Sequence, residues 1–370
     1  MDRREFCRDM ALGVAGLTLA GGAAGAPAAA AAGTGPPLAR YWEKMPGKKV
    51  HCLLCPHECV VADGGKGRCR VRQNRGGTFY TLNYGQICAV HTDPIEKKPL
   101  FHYKPGASAF SIALPGCNLR CRYCQNWQIS QHGPEELNCV HTPPGRTAAA
   151  AAAAKAPVIA YTYSEPVVGY EYLCDTADAA RALGVGNVLI SAGYLNPAPL
   201  KKLIPKMSAV KIDFKGFSDP FYHSVCGGSL KPVLDTLVTL KDSGTWLELV
   251  MLIVPTLNDN VAENRLMFRW IRSALTDRVP LHLTRFTPCY QLQNLPQTPV
   301  KTLETLHAEA KNAGLQYVYV GNVPGHPLEN TYCHACRKMV IRRVGFTVVS
   351  REIRDGKCAS CGTVIPGIFS

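Results

Sequence analysis

Eleven of the 17 cysteines in this 370-residue chain fall into three close sets, and close sets of thiols in a chain this long point to metals rather than to a disulfide framework. The middle set, Cys117, Cys121 and Cys124, has the spacing C-x3-C-x2-C inside G-C-N-L-R-C-R-Y-C-Q-N. Iron-sulfur cubanes normally take four cysteine thiolates, so a three-cysteine loop leaves one iron open to an external ligand. Chemistry is expected at that open corner. The last set pairs two knuckles, Cys333-x2-Cys336 and Cys358-x2-Cys361, across 21 residues that read as a strand pair. This is the pattern of a tetrahedral four-thiolate site, most often structural zinc, with rubredoxin-like iron or a further cluster as alternatives. The first set, Cys52, Cys55, Cys59 and Cys69, offers four more thiolates, with His57 as a substitute ligand. Its asymmetric spacing matches neither the ferredoxin run nor paired zinc knuckles, and it leaves zinc and an auxiliary [4Fe-4S] cluster both open. Cys7, Cys88, Cys139, Cys174, Cys226 and Cys289 stand alone.

The elements that must position these ligands follow from the apolar pattern. From residue 107 onward, short runs rich in β-branched and aromatic residues alternate with helical patterns, the signature of βα units on a parallel sheet. Strands are predicted over 108–114, 158–163, 187–191, 209–214, 246–254 and 280–286, with a further apolar run at 317–320. The Ala-rich run 147–156 has high helix propensity, and 230–242 carries an apolar face that Gly244 can cap. The run D-P-I-E-K-K-P-L-F-H is expected to be a loop leading into the main domain. The expected division is 1–33 a signal or anchor, 40–100 a Cys-rich segment, 101–325 the core and 328–370 a zinc-ribbon-like module. An incomplete barrel of this kind gathers its chemistry at the carboxyl ends of its strands.

Six stretches carry a resemblance: C-L-L-C-P-H-E-C, D-P-I-E-K-K-P-L-F-H-Y-K-P-G, G-C-N-L-R-C-R-Y-C-Q-N-W-Q-I-S-Q, Y-T-Y-S-E-P, K-I-D-F-K-G-F and Y-V-Y-V-G-N-V-P-G-H. The resemblance they carry covers roughly 50–370. They resemble the radical S-adenosylmethionine (SAM) superfamily, in the branch of pyruvate formate-lyase activating enzymes and more closely the AmmeMemoRadiSam family. The resemblance implies an α/β fold, a partial (β/α)6 TIM-type barrel, with the Cys-rich segment before it and the four-cysteine module after it. It implies a [4Fe-4S] cluster on Cys117, Cys121 and Cys124, whose open iron is chelated by the amino and carboxylate groups of SAM. Tyr123 would pack near adenine. Glu165 would accept hydrogen bonds from the SAM ammonium, although Tyr163-Ser164 stand where many relatives have two glycines. Ser191 would bond the ribose, Lys215 would neutralise the SAM carboxylate, and Asp213 would bind ribose or orient Lys215. His282 and Arg285 are expected to point inward, His282 as a ribose or substrate contact or equally as a core histidine. Val254-Pro255-Thr256 would pack on the adenine side.

The implied activity is reductive cleavage of SAM to a 5′-deoxyadenosyl radical that acts on an unknown substrate. A low-potential flavodoxin or ferredoxin would supply the electron, and the resemblance implies Memo-like and AMMECR-like partner proteins. A glycyl-radical activase is the narrower alternative, but the usual insertion of ferredoxin-type cysteines is missing, since 127–157 holds only Cys139. The net charge of +14 motivates a third reading, a metal-binding module that contacts nucleic acid. No basic run with interleaved aromatics accompanies that charge, so no nucleic acid is expected. Arg3-Arg4 and Phe6, followed by an uncharged Ala/Gly-rich stretch over 10–33, read as a twin-arginine export signal, the only part expected to meet a membrane. SAM and a low-potential donor are cytoplasmic supplies, so the chemistry asks for the opposite compartment.

Overall fold

Short apolar strands build the centre of the molecule in the computed structural model, which describes residues 35–370; the twin-arginine reading lies outside them. The strands are β1 (Ala89–Pro94), β2 (Ser108–Ala113), β3 (Val158–Tyr161), β4 (Gly186–Ser191), β5 (Ala209–Asp213), β6 (Trp246–Ile253), β7 (Leu281–Arg285) and β8 (Val318–Gly321). They form one sheet in the order β8-β7-β6-β5-β4-β3-β2-β1. Seven strands are parallel and β1 alone is antiparallel, paired with β2 along its full length. All four residues of β3 are buried, as expected of a parallel strand covered on both faces.

The strand β1 corrects the expected loop. Asp93 and Pro94 end an edge strand, and a 3-10 turn, Ile95–Lys97, follows. Its sequence A-V-H-T-D-P is polar because only one face is covered, and Pro94 is tolerated where the pairing stops. The helices that cover the outer face include α1 (Pro144–Ala153), α2 (Tyr170–Ala182), α3 (Pro197–Leu203), α4 (Leu230–Asp242), α5 (Val261–Trp270) and α6 (Val300–Asn312). Helix α1 starts three residues before the Ala-rich run, because Pro144 is pre-set for the first helical turn. Helix α4 has the expected bounds and buries Leu230, Val233, Leu237 and Leu240. Gly244, at φ +75°, lets the chain leave it through a left-handed residue.

Register decides which side chains share a face. Lys211 sits opposite Ile190 and Glu248, Asp213 opposite Val250, and Val250 opposite His282. The period of two therefore puts Ile190, Lys211, Asp213, Glu248, Val250, Leu252, His282 and Thr284 on the inner face. Leu189, Ile212, Leu249, Met251 and Leu283 occupy the other face and belong to the main apolar core, together with helix residues such as Leu237, Phe268 and Leu306. His282 and Arg285 are three residues apart and cannot both point inward. Thr284 shares the face of His282, while Arg285 donates from Nε to the Thr298 carbonyl at 2.8 Å.

The lower part of the inner face is closed by the segment after β1 and by the carboxyl-terminal module, through Phe101, Tyr317, Tyr319, Val340, Ile341 and Ile353. Glu248 is the centre of this closure. It accepts hydrogen bonds from the Phe101 and His102 backbone N–H groups at 2.9 and 2.8 Å, from Trp246 Nε1 at 3.0 Å and from His282 Nε2 at 2.8 Å. Pro37–Ser370 packs as one unit. Among the described residues, no helix is long and apolar enough to cross a membrane.

Candidate functional site

The three-cysteine loop leaves the end of β2 through Gly116, at φ +96°. A Cβ there would lie 2.6 Å from Val71 Cγ1 and 2.8 Å from the Cys69 carbonyl oxygen, so only glycine fits. The loop is pinned by Arg120 N–H to the Cys226 carbonyl at 2.7 Å and by Arg122 N–H to the Val225 carbonyl at 2.9 Å. Cys117, Cys121 and Cys124 then line a cavity of about 450 Å³ together with Tyr123, Glu165, Lys211, Asp213 and Lys215. Every one of these groups comes from β5 or from the segments that leave β2, β3 and β5 at their carboxyl ends. The Cys124 sulfur lies 3.3 Å from Ser130 Oγ, and Cys117 Sγ accepts the Leu119 N–H at 3.3 Å. A hydrogen bond from the Cys226 thiol lowers Cys121 to about 7 against the effect of burial, and the Lys215 ammonium adds to it. Tyr123 is buried with its hydroxyl 3.4 Å from Cys226 Sγ.

Glu165 is 3% exposed and reaches the cavity from the end of β3. Burial pushes its carboxyl up, opposed by the Ala192 N–H at 2.8 Å and the Ser191 hydroxyl at 2.7 Å. Ser191 does not line the cavity. Its place in β4 has the parity of the outer face, so its hydroxyl serves to orient Glu165. His282 does not line the cavity either. It lies on the inner face, deeper in the sheet, with Nε2 committed to Glu248.

Asp213 carries two lysines. Lys211 Nζ donates to its Oδ1, and Lys215 Nζ lies 4.0 Å from its Oδ2. Although burial works in the opposite direction, the two ammonium groups hold the Asp213 carboxyl below its usual range. Burial likewise opposes the charge on Lys215, but Cys121 and Asp213 raise it well above the ordinary lysine value. Lys211 was not singled out in the sequence, yet strand alternation from Asp213 points to it.

A second group at the cavity also escaped the sequence reading. Tyr163, at the position where many relatives have glycine by resemblance, adopts φ +69°. That conformation costs a side-chain-bearing residue about 1 kcal/mol. Its anchors are the hydroxyl, which donates to Asp93 Oδ2 at 2.5 Å, and the ring, 4.7 Å from the Lys98 ammonium. Lys98, 2% exposed, donates to the same Asp93 oxygen at 2.5 Å, and burial lowers it to about 8. Lys97, Lys98 and Tyr163 all line the cavity, as does Phe346 between the strands Met339–Val344 and Thr347–Arg351. The signal was present in D-P-I-E-K-K, but the contact from Asp93 to Tyr163 spans 70 positions.

The residues present fit a cluster and SAM. Three thiols converge on one cavity, its volume lies in the range of small-molecule sites, and a buried carboxylate and a largely buried ammonium face the same space. In the carboxyl-terminal module, the sulfurs of Cys333, Cys336, Cys358 and Cys361 all lie within 4.8 Å of one another, with Cys333 to Cys361 and Cys336 to Cys358 each at 3.7 Å. That is the edge of a tetrahedron around one ion with metal–sulfur bonds of about 2.3 Å.

The Radical SAM superfamily model matches residues 111–268. An uncharacterized protein of Methanocaldococcus jannaschii is 42% identical over 329 residues, covering 88% of this chain and 98% of its own. Among solved structures, a domain of a pyruvate-formate lyase-activating enzyme from Bacteroides vulgatus covers 44% of this chain and 98% of its own, at 13% identity and a TM-score of 0.39. SuiB of Streptococcus suis bound to S-adenosylmethionine covers 65% of this chain and 56% of its own, at 10% identity and a TM-score of 0.46. With its cluster loop and the four strands β3 to β6 inside the matched residues, the chain belongs to the radical SAM superfamily and is an enzyme of that class.

Proposed function

We propose that this enzyme reductively cleaves SAM and turns the resulting radical on a substrate that enters beside Lys97, Lys98 and Phe346. The observation that carries the reading is the convergence of three cluster cysteines, Glu165 and Lys215 on one cavity. When bound on Cys117, Cys121 and Cys124, a [4Fe-4S] cluster with SAM at its open iron supplies a 5′-deoxyadenosyl radical. Glu165, held by Ser191 and the Ala192 N–H, would accept the SAM ammonium as a charge-assisted partner. Lys215, kept charged by Asp213, would neutralise the SAM carboxylate. Tyr123 would pack against adenine. The tetrahedral spacing of Cys333, Cys336, Cys358 and Cys361 supports structural zinc in the carboxyl-terminal module.

By resemblance to the AmmeMemoRadiSam family, its partners would be Memo-like and AMMECR-like proteins, with a flavodoxin or ferredoxin as electron donor. The supply of SAM and reductant argues for work in the cytoplasm. Anaerobic reconstitution followed by dithionite and SAM should yield 5′-deoxyadenosine, and the Cys117/Cys121/Cys124→Ala variant should yield none. A fully loaded wild-type protein that makes no deoxyadenosine would sink the proposal.

A further inference from the structure

Cys52, Cys55, Cys59 and Cys69 take no part in the catalytic cavity, yet all four line one small pocket of their own. Two local devices bring them there. The Cys52 N–H bonds the Cys59 carbonyl at 3.0 Å, which folds the first three cysteines into a tight turn. Gly67 then returns the chain so that a Cβ on it would lie 3.9 Å from both Cys59 Sγ and Cys69 Sγ. The Arg68 N–H points at Cys59 Sγ from 3.5 Å. His57 Nε2 donates to the Asn118 carbonyl at 2.7 Å, which leaves Nδ1 as its one ring nitrogen able to accept.

Sulfur spacing separates the two kinds of centre that four thiolates can build. One tetrahedral ion holds its sulfurs about 3.8 Å apart, as in the carboxyl-terminal module. A cubane places an iron-sulfide core between them, so its outer thiolates stand roughly 6 Å apart. Among the described residues, Cys333, Cys336, Cys358 and Cys361 form the one group of three or more metal-ligating side chains with all ligand atoms within 4.8 Å. No three of Cys52, Cys55, Cys59 and Cys69 meet that spacing, and neither do Cys117, Cys121 and Cys124. The amino-terminal set is thus wider than the closed, zinc-like module, as the three-cysteine loop also is.

A second observation points to a bound centre that supplies acceptors. Arg72 lines this pocket at 1% exposure, ion-paired to Glu171 at 3.2 Å, while its Nε has no hydrogen-bond partner. A buried donor left unpaired is costly, and the sulfides of a cubane are acceptors of the kind it lacks.

We propose that Cys52, Cys55, Cys59 and Cys69 hold a second [4Fe-4S] cluster, ligated by protein at all four irons. It sits directly behind the catalytic loop, since Gly116 packs against the Cys69 carbonyl and Asn118 lines the same pocket. With no open iron it cannot bind SAM, so it is a redox group beside the radical site.

Iron, acid-labile sulfide and zinc should be counted per chain after anaerobic reconstitution of the full-length protein. The wild type should carry about eight irons, and the Cys117/Cys121/Cys124→Ala variant should keep about four irons and about four sulfides with an EPR signal on reduction. Cys52/Cys55/Cys59/Cys69→Ser should lose half of the wild-type iron. If that variant is insoluble, the Ala variant alone decides. An Ala variant free of iron and carrying two zinc ions overturns the proposal. That count is independent of deoxyadenosine formation, so its failure is distinguishable from failure of the proposed function.

Discussion

At the carboxyl ends of the strands, Glu165, Lys211, Asp213 and Lys215 line a cavity of about 450 Å³, whereas deeper on the same face of the sheet Glu248 and His282 are enclosed by their partners. The two regions hold the same kinds of residue: Glu165 and Lys211 are nearly as enclosed as Glu248 and His282, whereas the Lys215 and Asp213 side chains are 13% and 38% exposed. They differ in where the hydrogen-bonding capacity goes. Glu248 spends its two oxygens on four donors, and neighbouring Arg343 reaches the Phe101 carbonyl, Thr331 and Glu96. Lys215 instead has Asp213 at 4.0 Å and the cavity beside it. Buried charge by itself therefore does not mark a reaction site; buried charge with capacity directed into a cavity does.

The largest test of this contrast is Glu248→Ala, which would leave His282, Trp246 Nε1 and two backbone N–H groups without their acceptor. A loss of about 3–5 kcal/mol in denaturant unfolding is expected. Deoxyadenosine per folded molecule should stay within about twofold of wild type, a range worth about 0.4 kcal/mol. A variant of normal stability but dead in catalysis would break the comparison.

The next effect is on pH. His102 is fully buried, with Nδ1–H donating to the Pro366 carbonyl at 2.6 Å and Nε2 accepting from the Tyr319 hydroxyl at 2.5 Å. Burial lowers it from 6.5 to about 4, with Glu248 opposing and Arg343 and His282 adding to the shift. Between those values the unfolded chain binds the proton and the folded chain does not, so stability rises with pH. The contribution, about 3 kcal/mol, is complete above 6.5 and lost as pH falls towards 4. Urea unfolding from pH 7 down to pH 4 should show the loss, and His102→Gln should flatten it.

The smallest effect sharpens the other side. Lys215→Ala should lower deoxyadenosine formation at limiting SAM by roughly tenfold to a hundredfold, about 1.4–2.7 kcal/mol. Its thermal midpoint should move by no more than about 2 °C, which corresponds to roughly 1 kcal/mol or less. Equal losses of activity and stability would show that Lys215 is as structural as Glu248.

Local order was legible where it depends on neighbours in the chain. The cluster loop was readable because three thiols within eight positions must act together, and α4 because its apolar residues recur at helical spacing. Glu165, Asp213 and Lys215 were readable as strand-end residues once the βα rhythm was recognised. The edge strand β1 was read as a loop because pairing on one side leaves a polar sequence without the apolar run that announces a buried strand. Ser191 was assigned to a ligand because its strand-end position was visible, while its outer-face parity needed the observed register.

Ligand types, element order and the three-thiol centre were determined by the sequence alone, since each depends on residues close together along the chain. Tertiary structure decided which charges are free to act. It set His282 against Glu248, turned Ser191 onto Glu165, and brought Asp93 and Lys98 under a strained Tyr163. It also separated the cysteine sets by the spacing of their sulfurs. These contacts join residues tens of positions apart, and hydrogen-bonding capacity is shared out only when the strands and loops are packed together.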